Sequence, residues 1–304
     1  LLNTDPFTEL PKLIPKLSKA ISALRAADYN GMVQLYEIIQ IITKLTDADE
    51  DAALAAVHLL KIASPLKQTI FSAVLMTLLA DRLKQNQKDR LTWQRAALTA
   101  NISFVDFQVL LNSNNNPLSA EQRQRIREHP LESQKILENA GVGDEELINI
   151  VAQHHERCDG SGYPHQLKGD EIHLGALAVA VCEFYTAMID DRAYRNTYQA
   201  GEALQELYKN SADREKKLQT QFIKLVGIYP PGTFVKLASG EIAIVHRRNP
   251  DTVMPRVKAI FGPDKQPYFG GLLRDCNNPK FKITGSTNQN LRTSLDLTAL
   301  WATD

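Results

Sequence analysis

Through most of the chain apolar residues recur at helical rather than strand spacing. After a start punctuated by Pro11 and Pro15, Ile38, Ile41, Ile42 and Leu45 form a stripe, and Ala52 to Ile62 reads as a second, short helix. Pro65 suits the first turn of another, where no amide donor is needed. Ile70, Val74, Leu75, Leu78 and Leu79 then describe one buried face. A further apolar segment runs from Trp93 to Ile102, and the polar stretch from Asn112 to Pro117 reads as a loop. Ser119 and Gln122 have the spacing of a capping box, opening a helix to about Asn139 that Gly141 and Gly143 stop. Asp144, Glu145 and Glu146 put negative charge at the start of the next helix, whose apolar face of Leu147, Ile148 and Val151 continues to His155. Gly160, Gly162 and Pro164 break the pattern into a tight loop. Leu174 to Met188, rich in Ala and Val, reads as a central helix, and Gly201 to Leu225 holds one or two more.

After Tyr229 the period changes. Pro230, Pro231 and Gly232 make a turn, and Thr233 to Leu237, Glu241 to Arg247 and Val253 to Phe261 read as short strands. A polar tail follows, with strand-like residues near its end. The expected fold is mainly α, with N-terminal helices over 1–63, a helical domain over 64–228 and a small β-containing C-terminal extension over 229–304.

Composition narrows the function classes. The 304 residues are 43% hydrophobic and 23% charged, which is globular rather than disordered. The 35 basic and 35 acidic residues cancel, so neither a nucleic-acid partner nor an anionic membrane surface is expected. No apolar run reaches the roughly 20 residues of a membrane span, and no signal peptide is visible. Cys158, Cys182 and Cys276 have neither zinc spacing nor a disulfide framework, which fits a cytoplasmic protein. The first residue is Leu1 rather than Met, which leaves room for an upstream domain.

The most unusual stretch is His154, His155, Glu156, Arg157, Cys158, Asp159, Gly160, Ser161, Gly162, Tyr163, Pro164. Neighbours on a helix point about 100 degrees apart. The two imidazoles therefore ligate one or two metals between them, or one is a hydrogen-bonded core residue and the other is exposed. Asp159 suits an Asx turn that stabilises the glycine bends.

This stretch resembles the signature of HD-GYP proteins, a bacterial signalling branch of the HD phosphohydrolase superfamily. The likeness continues through Leu167, Gly169, Glu171, Ile172 and Leu174 to Ala187, Met188, Asp191, Arg192, Ala193, Tyr194 and Arg195. Upstream it takes in Leu118, Glu121, Ile126, His129, Pro130, Ile136 and Leu137. The resemblance implies an HD-domain helical bundle around two or three metals, usually iron or manganese, that hydrolyses cyclic di-GMP. By the same resemblance His129, His154, His155 and Glu183 are candidate metal ligands. Arg192 and Arg195 are candidate phosphate contacts, or salt-bridged structural residues. Gly162, Tyr163 and Pro164 form either an interaction loop for diguanylate cyclase domains or a cap on the pocket.

The chain also departs from the pattern. Ala100 and Asn101 stand where the family has its His-Asp pair, and Phe104 stands where it has a phosphate-facing lysine. The nearest equivalent of an earlier ligand histidine is Gln68, and Glu183 replaces an aspartate with a longer side chain. The expectation is a degenerate, catalytically impaired signalling module that acts by protein interaction or cyclic nucleotide binding. It holds no cofactor or one divalent metal (Fe or Mn), and forms a homodimer as one of its expected assemblies. The alternative is a metal-dependent cyclic di-GMP phosphodiesterase with ligands drawn from His58, His165, His173 or Asp106.

Overall fold

The computed structural model describes residues 4–112, 117–190, 198–209, 211–249, 254–287 and 295–302. The helices run α1 Pro6–Arg25, α2 Asn30–Ala48, α3 Glu50–Leu59, α4 Lys67–Arg82, α5 Gln87–Thr99 and α6 Val105–Asn112. They continue with α7 Ala120–Asn139, α8 Glu145–Gln153, α9 Leu174–Ile189, α10 Ala200–Tyr208, α11 Asp213–Val226 and α12 Leu297–Trp301. The fold is mainly α, as the periodicity predicts.

Pro11 and Pro15 lie inside α1 rather than before it. Pro15 is exposed and Pro11 half-buried, while Leu10, Leu13, Leu17 and Leu24 face the core, so the backbone disruption falls toward the solvent side. Gly31 lets α2 close on α1, since a Cβ there would sit 2.7 Å from the Ala20 carbonyl oxygen. The α3 start is set by Asp49, whose carboxylate accepts from the Ala52 amide at 2.9 Å. Pro65 precedes α4 instead of lying in its first turn. Every residue from Ile70 to Ala80 is buried, the mark of a helix enclosed on all sides, and α4 packs against the similarly enclosed α9. The Ser119–Gln122 capping box that opens α7 is present. Among the described residues no helix is long and apolar enough to cross a membrane.

The C-terminal sheet has five strands: β1 Phe234–Leu237, β2 Ile242–Arg247, β3 Arg256–Phe261, β4 Pro267–Asp275 and β5 Ile283–Ser286. Their order is β4-β3-β2-β1-β5 and all neighbours are antiparallel. Strand alternation divides their side chains. Val235, Ala243, Val245, Val257 and Ala259 form a core of their own, whereas Phe234, Ile244 and Ile260 join the helical core. Arg247 pairs with Asp49, and Arg248 pairs with Asp51 and Glu50, tying the end of β2 to the start of α3.

Candidate functional site

A cavity of about 890 Å³ lies among α4, α7, α9, α10, α11 and the two loops after α5 and α8. His129, His154, His155, Glu183, Asn101, Phe104, Gln68 and Tyr163 all line it. Helix α7 brings in His129, the C-terminal end of α8 brings in the other two histidines, and α9 brings in Glu183.

Local backbone chemistry fixes two of the rings. Pro130 has no amide hydrogen, so the Ile126 carbonyl loses its helical partner. His129 takes its place, with Nδ1 2.6 Å from that oxygen. Helix α8 ends at Gln153, which leaves its last carbonyls unpaired. His154 sits just past that end, with Nδ1 2.6 Å from the Val151 oxygen. A nitrogen that close to a carbonyl carries the hydrogen, so both Nε2 atoms are left with bare lone pairs. Those two atoms face each other at 3.1 Å. Giving one Nε2 the hydrogen would instead set its Nδ1 lone pair against a carbonyl oxygen. Either tautomer leaves one repulsive contact, and a cation between the rings removes it.

His155 completes the group. The three histidines each offer a ligand atom, all within 4.8 Å of one another. Its ring stacks on Tyr163, with centroids 4.8 Å apart, and Arg127 lies 5.4 Å from the opposite ring's centroid in that stack. The helix end at Gln153 explains why both adjacent histidines reach the cavity: His154 is fully buried and His155 partly so, rather than one in the core and one in solvent.

Burial lowers His129 to about 4, and burial followed by the charge of His129 lowers His155 to about 3. His154 is pushed well below its ordinary value by burial, then by His155 and His129. All three are neutral at neutral pH, the form in which imidazole ligates metal. Burial raises Glu183 to about 8, opposed by the hydrogen bond it accepts on Oε1 from Asn101. Its Oε2 lies 3.9 Å from His154 Nε2. This donor set, three neutral imidazoles with a carboxyl beside them, fits one divalent cation.

The other side of the cavity carries carboxamides. Gln68 donates to the Glu183 carbonyl at 3.2 Å and accepts from Gln108 at 3.2 Å. Ala100 is fully buried in the core and offers no ligand. Phe104 packs against the His129 ring, with centroids 4.7 Å apart. Of the alternative ligands none lines the cavity. His58 bonds the Tyr185 hydroxyl at 2.7 Å, His173 caps α9 by accepting from Gly175, and Asp106 pairs with Arg25. His165 offers its backbone amide to Glu156. Arg192 and Arg195 lie outside the described residues.

In the Gly162–Pro164 loop, the Tyr163 ring stacks on His155 and lines the cavity. Gly162 is required there, because a Cβ would stand 2.4 Å from the Arg157 amide nitrogen. The anchor of this loop is Glu156, a buried carboxylate that accepts from the amides of His165 and Leu167, the latter at 3.0 Å. Sequence reasoning passed over it. The available signal was a charged residue set inside an otherwise buried motif.

A family model described as an HD domain matches residues 52–215, more than half of the chain. The chain is an HD-domain protein. A cyclic di-GMP phosphodiesterase of Pseudomonas aeruginosa is 34% identical to it over 137 residues, covering 45% of this chain and 33% of the relative. A 3'3'-cGAMP-specific phosphodiesterase of Vibrio cholerae is 25% identical over 210 residues, covering 68% of this chain and 45% of the relative. This HD domain therefore spans less than half the length of either. Among solved structures, an HDG"Y"P protein from Bdellovibrio bacteriovorus superposes with a TM-score of 0.55 at 17% identity, covering 69% of each chain. That likeness concerns the fold.

Proposed function

We propose that this HD domain is a metal-dependent phosphodiesterase of cyclic dinucleotides. The observation that carries the reading is the opposed pair of neutral Nε2 atoms, 3.1 Å apart, in a cavity of about 890 Å³. Pockets for ligands of this class run to about 300–1,000 Å³. The relatives, named as cyclic dinucleotide phosphodiesterases, support this alternative better than the expectation of an impaired module.

His129, His154 and His155 would hold the cation, iron or manganese by resemblance. When bound, such a cation lowers the pKa of water and neutralises phosphoryl charge. Tyr163 fixes the His155 ring by stacking, and Asn101 fixes Glu183 by donating to its Oε1. With Oε1 so engaged, Oε2 is the Glu183 oxygen that faces the proposed cation site, 3.9 Å from His154 Nε2.

A second reading, binding with impaired turnover, is favoured by Ala100 and Asn101. The first supplies no ligand and the second supplies a neutral amide already committed to Glu183. The two readings separate by incubating the chain with cyclic di-GMP and 3'3'-cGAMP, with Mn²⁺ or with chelator, and following product by chromatography. Linear dinucleotide that requires metal and is lost in His154→Ala is the expected result. Binding without product in either condition would overturn the phosphodiesterase reading in favour of the second.

A further inference from the structure

The loop that joins α8 to α9 carries His154, His155 and Tyr163, and it closes on itself at a neck. There the Gly169 amide donates to the Cys158 carbonyl at 3.1 Å, and Asp159 and Lys168 form an antiparallel bridge. Toward the tip, the Tyr163 amide donates to the His155 carbonyl at 3.1 Å. The bonds of Glu156 to His165 and Leu167 are likewise internal. Bonds of this kind shape the loop but do not fix where it stands against the bundle.

Two adjacent residues at the start of α11 supply that attachment. Glu215 is 7% exposed. Its Oε1 accepts from the Cys158 amide at 3.1 Å, and its Oε2 accepts from the Ala212 amide at 2.9 Å, which closes the first turn of α11. Arg214 reaches the opposite arm of the neck, where Nη1 donates to the carbonyls of Gly169 at 2.5 Å and Ile172 at 2.7 Å. Neighbours on a helix diverge by about 100 degrees, which lets one residue hold each arm. Asp170, 3.2 Å from Arg214 Nε, is almost wholly exposed and adds little. The support is itself fixed: Leu218, Phe222 and Leu225 bury one face of α11, and the Leu225 carbonyl accepts from Arg248 at 2.8 Å.

We propose that Arg214 and Glu215 are positioning residues for the cation site, holding the neck so that His154 and His155 meet His129. The proposal rests on the cation-site reading above and adds residues that set its geometry from a helix carrying none of the ligands. Cys158 follows His155 by three residues, so a shift of the neck passes to the imidazoles through one short stretch of backbone. Hydrogen bonds from or to a charged side chain are about twice as strong as neutral ones. Losing a partner that orients metal ligands typically weakens metal binding by about 10–100-fold. Neither residue is a ligand, and each acts through the loop backbone.

The test compares Arg214→Ala and Glu215→Ala with Phe222→Leu, a core change on the same helix that lowers the thermal midpoint without touching the loop. The readouts are Mn²⁺ titration and, in the chelator-stripped chains, amide hydrogen exchange over 156–172. Both alanine variants should exchange faster across the loop and bind Mn²⁺ about 10-fold or more weakly. Glu215→Gln, which keeps an oxygen for the Cys158 amide, should recover most of the affinity. Phe222→Leu should match the unmodified chain in both readouts despite its lower midpoint. Arg214 is half-buried, so its variant decides the matter if Glu215→Ala does not fold. Unchanged Mn²⁺ affinity in either folded alanine variant, or an equal loss in Phe222→Leu, would overturn the positioning role while leaving the cation site intact. An unmodified chain that binds no Mn²⁺ would overturn the cation site and this proposal with it.

Discussion

Replacing Glu183 by glutamine should change how stability depends on pH while leaving the fold intact. The carboxyl is 8% exposed, and burial raises it from its ordinary 4.5 to about 8. Between those values the folded chain keeps the proton that the unfolded chain releases. Its contribution is therefore complete below 4.5 and lost as pH rises through about 8. Each pH unit inside that window removes about 1.4 kcal/mol, so the step from about pH 5.5 to about pH 7.5 removes about 3 kcal/mol. Glutamine still accepts the Asn101 hydrogen bond and does not titrate. Urea denaturation in the presence of a chelator, run across that range for both proteins, should give curves that converge in the acid and separate as pH rises, with Glu183→Gln gaining on the unmodified chain. Parallel profiles would refute the raised carboxyl.

His129 acts with the opposite sign. Lowered to about 4, it contributes stability that is present above its ordinary 6.5 and lost as pH falls toward the folded value, about 3 kcal/mol in the metal-free chain. His129→Asn should shrink that acid limb in the same denaturation series, leaving the part that His154 and His155 supply. Gly162→Ala would press a Cβ onto the Glu156–Arg157 backbone, at 2.4–2.6 Å. It should cost about 1–3 kcal/mol and release Tyr163 from His155, read as a lower thermal midpoint and weaker Mn²⁺ binding. Restoring His at position 100 and Asp at position 101 together should not raise turnover, since Phe104 still packs on His129 and Gln68 remains an amide. The imidazole at fully buried Ala100 should also lower the thermal midpoint by overpacking, and faster product formation in that double variant would contradict this reasoning.

Much of the bundle was legible because its helices bury a face at regular spacing, and α7 and α8 carry recognisable starts at Ser119 and Asp144. Strand β4 was not, because Gly270 and Gly271 adopt positive φ and most of the strand is exposed, which erases alternation. Helix α12, five residues long, is too short for a period to show. At the site, His129, His154 and His155 stood out as residue types. Their convergence depends on the point where α8 stops and on the carbonyl that Pro130 frees, and the second of these is written in the sequence as His129-Pro130.

The central claim is that three neutral histidines make a site for one cation. Titrating the chelator-stripped chain with Mn²⁺ or Co²⁺ at neutral pH, and comparing it with His154→Ala, tests this most directly. The account predicts one equivalent per chain at the histidines, with the tight site lost in the variant and the fold retained. No binding by the unmodified chain, or a stoichiometry that His154→Ala leaves unchanged, would contradict it.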